Sequence, residues 1–98
     1  MILSIPKELL LDFAGALTSA TFAPDRYPVP EYINYESNMA DLKLMWNEIR
    51  PLVERDLEKR DFIDAKLREV FEAFESGANE RGVDAVLAIY NSNVKGLR

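Results

Sequence analysis

The chain has 98 residues, of which 17 are acidic and 12 are basic, so its net charge is −5; it has no cysteine and no histidine. This length fits one domain with one modest core. The acidic balance disfavours sequence-independent binding to nucleic acid or anionic membranes, which needs surplus lysine and arginine. Without cysteine there is no disulfide, thiolate nucleophile or cysteine-ligated zinc site, and the composition is compatible with the cytoplasm, where we expect the protein.

The first predicted element is a helix over residues 4–19. Ser4 is a candidate N-cap, and Pro6 fits the first turn, where a missing N–H is tolerated. The acids Glu8 and Asp12, together with the lack of a basic start, favour a helix of the domain over a signal peptide. No stretch approaches the ~20 apolar residues of a membrane span. One apolar stripe at helical spacing is formed by Leu9, Leu10, Phe13, Ala14 and Leu17.

A crossover segment follows at residues 23–37, with the sequence APDRYPVPEYINYES. Its prolines at positions 24, 28 and 30 each remove a backbone donor and fix φ. They also push the residues before them toward extended conformations. Because the segment has three prolines and no glycine, we expect it to be stiff and extended and to lie across the helices.

The second helix is predicted to start with Ser37 or Asn38 as its N-cap. Its helical period continues through Pro51, which removes the hydrogen bond to the carbonyl four residues back. We expect one long helix with a kink near Asn47, and the alternative is two helices of which the second starts at Pro51. The apolar stripe consists of Leu42, Met45, Trp46, Ile49, Leu52, Val53 and Leu57.

The charged run at residues 58–61 interrupts this pattern. It is either a turn, with Asp61 capping the next helix, or an exposed turn of a continuous helix. Gly77 is the expected C-cap of the third helix, and the last helix is expected at residues 79–95. The predicted core face of the third helix consists of Ile63, Leu67, Val70, Phe71 and Phe74, and that of the last helix of Val83, Val86, Leu87, Tyr90 and Val94.

Every long segment has the helical period of 3.6 residues, and none shows the alternation of a strand. The expected fold is therefore all-α, with residues 1–98 forming a single domain. It is a four-helix antiparallel bundle, or three long helices plus a short one, with a Pro/Tyr-rich crossover between helices 1 and 2.

The acids of the third helix are the first candidate for chemistry. Glu69, Glu72 and Glu75 share part of one face, where they could hold Mg²⁺ or Mn²⁺ if a second helix supplied further oxygen ligands. The interpretation we favour is a solvated outer face. Because no histidine is present to act as a base or to activate a serine, we expect no enzyme, no catalytic residue and no cofactor.

Charged side chains between residues 54 and 69 have the spacing of a salt-bridged helix. Asp56 with Arg60 and Asp64 with Arg68 are predicted i,i+4 ion pairs, each worth about half a kcal/mol or less. We interpret this segment as an exposed helix face. The alternative is an acidic surface that docks a basic partner.

The crossover tyrosines are the main functional candidates. They either pack onto the bundle and cover its open side, or face outward and anchor a partner; one ring inside and two outside would satisfy both. Tyrosine suits an anchor because it presents a large rigid surface with a polar tip, and neighbouring acids would select a basic partner. The candidate partner-binding residues are Tyr27, Tyr32, Tyr35, Asp25, Glu31 and Glu36.

The function expected from these features is a non-catalytic protein–protein interaction module that docks a basic protein. Small acidic inhibitors such as immunity proteins and antitoxins offer an analogy in size and charge, because they cover basic clefts and complementary charge speeds association. One alternative is a structural helical homodimer formed through an unpartnered apolar stripe. A carboxylate-based metal-dependent enzyme is the other. Neither a nucleic acid nor a membrane is expected as a partner.

Overall fold

The computed structural model describes residues 4–98, so the first three residues of the predicted domain lie outside the described residues. Within that part, the chain forms four α-helices and two short 3-10 helices and has no strand. α3 and α4 form a hairpin, and α1 packs against both α2 and α4. The prediction of an all-α four-helix bundle with a long crossover between the first two helices is confirmed. The helices are α1 Lys7–Ala20, α2 Tyr35–Ile49, α3 Leu57–Glu75 and α4 Asn79–Tyr90, with 3-10 helices at Arg50–Leu52 and Val94–Gly96.

The core lies between the four helices and combines an aromatic pair with aliphatic side chains. Phe13 of α1 stacks on Trp46 of α2, with ring centroids 5.7 Å apart and an interplanar angle of 23°. Burial of each large aliphatic side chain stabilises the fold by about 1.5–3 kcal/mol. Fully buried aliphatic residues come from every helix and include Leu17, Leu42, Ile49, Ile63, Val70, Val86 and Ile89. No helix within residues 4–98 has the length and apolar character to cross a membrane.

The starts of α1 and α2 differ from the prediction. Ser4 does not cap α1, because the N-cap is Pro6, whose carbonyl accepts hydrogen bonds from the first turn. α2 starts at Tyr35 with Asn34 as its N-cap, so Ser37 and Asn38 are not caps. The Ser37 N–H donates to Asn34 Oδ1 at 3.0 Å, and the Asn34 N–H donates to Ser37 Oγ at 3.1 Å. This reciprocal capping box satisfies two donors at once and therefore overrides a single later cap.

Pro51 separates two helices, so the prediction of one long kinked helix is wrong. α2 ends at Ile49, and Pro51 lies in the short 3-10 helix that follows. The chain then becomes extended at Val53, with φ −74° and ψ 120°. α3 begins only at Leu57, which is later than the alternative start at Pro51, and residues 58–61 are helical.

The C-terminal ends of α3 and α4 are set by backbone geometry. The C-cap of α3 is Ser76, and the predicted glycine, Gly77, follows it one residue later with φ +81°. The Ala78 N–H reaches back to the Ala73 carbonyl at 2.8 Å. α4 ends at Tyr90 and not at Lys95, because the chain turns there and Asn93 adopts φ 61°.

The buried face of α4 also differs from the prediction. Leu87 and Tyr90 are exposed, whereas Ala85 and Ile89 are buried. Because α4 packs against both α3 and α1, its buried arc includes small residues that a search for large apolar side chains does not select.

The predicted i,i+4 ion pairs at Asp56 and Asp64 are not formed. Asp56 accepts a hydrogen bond from the Arg98 N–H at 2.9 Å, and this bond lowers the pKa of the Asp56 carboxyl. Asp64 accepts from Trp46 Nε1 at 2.7 Å and from Arg50 Nε at 2.9 Å. Both carboxylates therefore bind residues distant in the chain, which helical spacing cannot reveal.

Candidate docking surface

In the structure the connection between α1 and α2 spans residues 21–34, and the three predicted tyrosines, two in this crossover and one at the start of α2, lie in three environments. Tyr27 is 7 % exposed and belongs to the core, whereas Tyr32 is 84 % exposed. Tyr35, the first residue of α2, is half-buried. One ring therefore lies inside, one lies outside, and one lies at the boundary.

Tyr27 is held by a chain of buried hydrogen bonds. Its hydroxyl donates to Asn38 Oδ1 at 2.8 Å, and Asn38 Nδ2 donates to the Ala16 carbonyl at 3.0 Å. Asn38 is only 1 % exposed. Burial, and secondarily the neighbouring Tyr35, raises the pKa of Tyr27 from 10.0 to about 12. This residue connects the crossover to both α1 and α2, so its side chain offers little surface to a partner.

Tyr35 connects the end of the crossover to α3. Its ring meets the Phe74 ring edge-on, with centroids 5.9 Å apart and an interplanar angle of 76°. Burial, and secondarily the charge of Glu75, raises the pKa of Tyr35. Such an edge-to-face pair contributes about 0.5–1.5 kcal/mol beyond its buried area. Tyr35 therefore contributes to packing between α2 and α3, and only part of its side chain is accessible to a partner.

The exposed apolar side chains of the crossover form a groove, which we call the apolar groove. It has a volume of about 300 Å³, and none of its lining residues is charged. Phe22, Val29, Tyr32 and Ile33 are all exposed there. A contiguous exposed apolar patch of this kind marks interaction sites on protein surfaces. The lining residues are Ser19, Phe22, Tyr27, Pro28, Val29, Tyr32 and Ile33.

The walls of the apolar groove are fixed before any partner arrives. The N–H groups of Tyr32 and Ile33 both donate to the Val29 carbonyl, at 3.0 and 3.2 Å. Tyr27 is immobilised by its hydrogen bond to Asn38, and the next residue, Pro28, has its backbone φ fixed by its ring. A preorganised surface loses little conformational entropy on binding, so this groove is suited to docking.

The three candidate acids are all exposed, but they do not form one rim. Glu31 directly precedes Tyr32, and Glu36 directly follows Tyr35. Asp25 instead lines a second hollow of about 500 Å³, together with residues of α4. We call this hollow the acidic depression, after its charged lining residues Asp25, Arg26, Glu80 and Asp84.

Three residues of this surface are not predicted from the sequence. The first is Val29, although an apolar residue between two prolines in a non-helical stretch is a usable signal. Glu80 and Asp84 lie on α4, far from Asp25 in the chain. No local pattern indicates their proximity to the crossover, since only the packing of α4 brings them there.

The glutamates of α3 do not form a metal site with one another. The Glu69 carboxylate pairs with Lys66 Nζ at 3.1 Å and lies 3.6 Å from Arg81 Nε. Glu72 and Glu75 are exposed. Across residues 4–98, no three acidic side chains lie close enough together to hold a metal ion.

The net negative charge is concentrated in the half of the chain that carries the crossover. Residues 1–49 contain seven acids and three bases, whereas residues 50–98 contain ten acids and nine bases. Four of the five net negative charges therefore belong to the first half.

Comparisons of the chain with protein-family models, with curated proteins and with solved structures each find no match.

Proposed function

We propose that this protein is a non-catalytic interaction module that docks a basic protein through its crossover. The observation that carries the proposal is Tyr32, which is 84 % exposed on the wall of a preformed apolar groove. Large rigid aromatic side chains of this kind dominate the binding energy of protein interfaces. As part of this proposal we expect the interaction to take place in the cytoplasm, with which the cysteine-free composition is compatible.

The charge of the partner follows from the surface beside the groove. Glu31 and Glu36 are exposed and adjoin Tyr32 and Tyr35 in the chain, and Asp25, Glu80 and Asp84 line the acidic depression. Complementary charge steers association and disfavours wrong partners. A second copy of this chain would oppose acid to acid at the same surface, so a basic partner fits better than a homodimer.

The experiment is capture of partners from lysate of the native host, at low and high salt, with identification by mass spectrometry. The wild type is compared with the double variant Tyr32→Ala/Ile33→Ala, which removes exposed side chains and leaves Tyr27 in place. Leu44→Ala is the matched control, because Leu44 is 63 % exposed on α2 and lies outside the groove lining. Circular dichroism checks that all variants are folded.

We expect a basic protein that is retained by the wild type and the Leu44→Ala control, lost by the double variant, and weakened by salt. Binding of that protein in purified form would then establish the interaction. A partner retained equally by the double variant would contradict the docking surface. Recovery of nothing but the protein itself would favour the homodimer.

A further inference from the structure

We propose that the apolar groove takes one bulky apolar side chain from a basic segment of the partner, and that the acidic depression takes a lysine or arginine of the same segment. This inference rests on the proposed function and specifies how the surface recognises its partner. It follows from the size and polarity of the groove, the charge of the depression and the proximity of the two.

The size of the groove limits what it can accept. A cavity of about 150 Å³ is enough for a benzene-sized group, so a groove of about 300 Å³ accommodates one large side chain such as leucine, phenylalanine or tryptophan. The occupant is therefore a single anchor and not an extended apolar surface.

The lining of the groove decides the polarity of that anchor. Its only side-chain polar atoms are the hydroxyls of Ser19, Tyr27 and Tyr32, and the Tyr27 hydroxyl already donates to Asn38. A charged side chain placed there would lose water without gaining an ionic partner, which is unfavourable. An apolar side chain would instead gain about 25 cal/mol for each Å² removed from water.

The acidic depression supplies the complementary charge. Its three carboxylates, from Asp25, Glu80 and Asp84, face a single base, Arg26. Among residues 4–98, none of these carboxylates takes part in an ion pair. They are therefore open to a lysine or arginine from a partner.

The two sites are adjacent across a short loop. Phe22 and Tyr27 line the apolar groove, and the four residues between them line the acidic depression. A segment that crosses this loop meets both sites. Recognition at two points by different chemistry gives specificity, because a wrong partner must satisfy both conditions.

The experiment titrates ¹⁵N-labelled protein with three short capped peptides and follows amide chemical shifts by NMR. The first peptide has a central leucine flanked by lysines, the second has alanine in place of the leucine, and the third has glutamates in place of the lysines. The amides of Val29 and Ile33 report on the groove. Those of Glu80 and Asp84 report on the depression, and that of Asn47 on α2 is the reference.

We expect the leucine–lysine peptide to shift both sets of amides and to leave Asn47 unchanged. Replacing leucine by alanine is expected to raise the dissociation constant about tenfold, and the glutamate peptide is expected not to bind. The double variant Glu80→Gln/Asp84→Asn should raise the dissociation constant of the leucine–lysine peptide about twofold to fivefold. The matched control Glu72→Gln, an exposed acid on α3, should leave it unchanged.

Equal binding of the leucine and alanine peptides would overturn the anchor, and an unchanged dissociation constant in the Glu80/Asp84 variant would overturn the basic contact. No shift with any peptide at about 1 mM, where even weak binding of about −4 kcal/mol is visible, would overturn the inference as a whole. The proposed function would survive these results if the captured partner still requires Tyr32 and Ile33. Conversely, if the peptide binds but no partner is captured, the binding site would be supported and the proposed function would be contradicted.

Discussion

Tyr27, Tyr32 and Tyr35 lie within nine residues and carry the same side chain, yet they have different roles. The difference arises from what each hydroxyl and ring meets. Only Tyr27 has a buried acceptor, Asn38, which in turn binds the Ala16 carbonyl. All buried side-chain polar atoms of the described residues have a hydrogen-bond partner. Burial of this tyrosine and asparagine is therefore tolerated because they satisfy each other.

The first prediction concerns the hydroxyl of Tyr27. The variant Tyr27→Phe leaves Asn38 Oδ1 buried without a donor, and we expect it to lower the free energy of unfolding at neutral pH by about 1–2 kcal/mol. Tyr32→Phe is the matched control, because its ring is exposed and its loss of a hydroxyl should have no effect. Urea denaturation followed by circular dichroism measures both.

The difference between wild type and Tyr27→Phe should also depend on pH. The folded-state pKa of Tyr27 is raised from 10.0 to about 12, so above pH 10 the unfolded chain loses this proton before the folded chain does. By linkage, the contribution of Tyr27 is fully present below pH 10 and is lost as the pH rises toward 12. The stability advantage of the wild type should therefore shrink in this range; an advantage that persists unchanged would contradict the burial of Tyr27.

At the scale of the helices, the close approach of α4 to α3 depends on a glycine at the point of contact. A Cβ added at Gly82 of α4 would lie 2.8 Å from Cζ of Phe74, whereas nothing lies within 4 Å of a Cβ added at Gly15 of α1. Phe74 also packs against Tyr35, so displacing its ring would disturb the junction of α2, α3 and α4. The hairpin of α3 and α4 therefore depends on glycine at position 82.

The second prediction compares alanine at these two positions. Both changes gain about 1 kcal/mol of helix propensity. Gly15→Ala should raise the free energy of unfolding by about that amount, whereas overpacking at Gly82→Ala should outweigh the gain and produce a net loss of about 1–2 kcal/mol. Thermal and urea unfolding of the pair measure the difference. A stabilised Gly82→Ala variant would show that Phe74 can move freely.

At the scale of the whole molecule, charge asymmetry opposes self-association through the crossover. The half of the chain that carries the crossover holds most of the net negative charge. Two copies joined at this surface would bring like charges together, and the repulsion is strongest at low ionic strength. A basic partner would instead be attracted to this surface, because its charge is opposite.

The third prediction follows from this asymmetry. Light scattering at micromolar concentration and low salt should give the monomer mass of 11.2 kDa, and raising the salt should not produce a dimer. A dimer that strengthens with salt would show that apolar contacts dominate. This result would favour the structural homodimer over docking of a basic partner.

The sequence by itself determined the fold class, because helical periodicity and terminal signals are local properties. The stripes of α1 and α3 and the helix-ending glycine at position 77 follow from spacing and residue type alone. Prediction failed where two local signals competed. Asn34 and Ser37 formed a reciprocal cap in preference to a later one, and Pro51 ended a helix whose apolar period continues past it.

The tertiary structure decided the arrangement of the candidate site, since that depends on which helices become neighbours. Packing of α2 against α1 placed Asn38 where it could accept the Tyr27 hydroxyl, which left Tyr32 as the exposed ring. Packing of α4 beside the crossover brought Glu80 and Asp84 to Asp25. Periodicity specifies which face of a helix is buried, but the identity of the element it is buried against depends on contacts between residues distant in the chain.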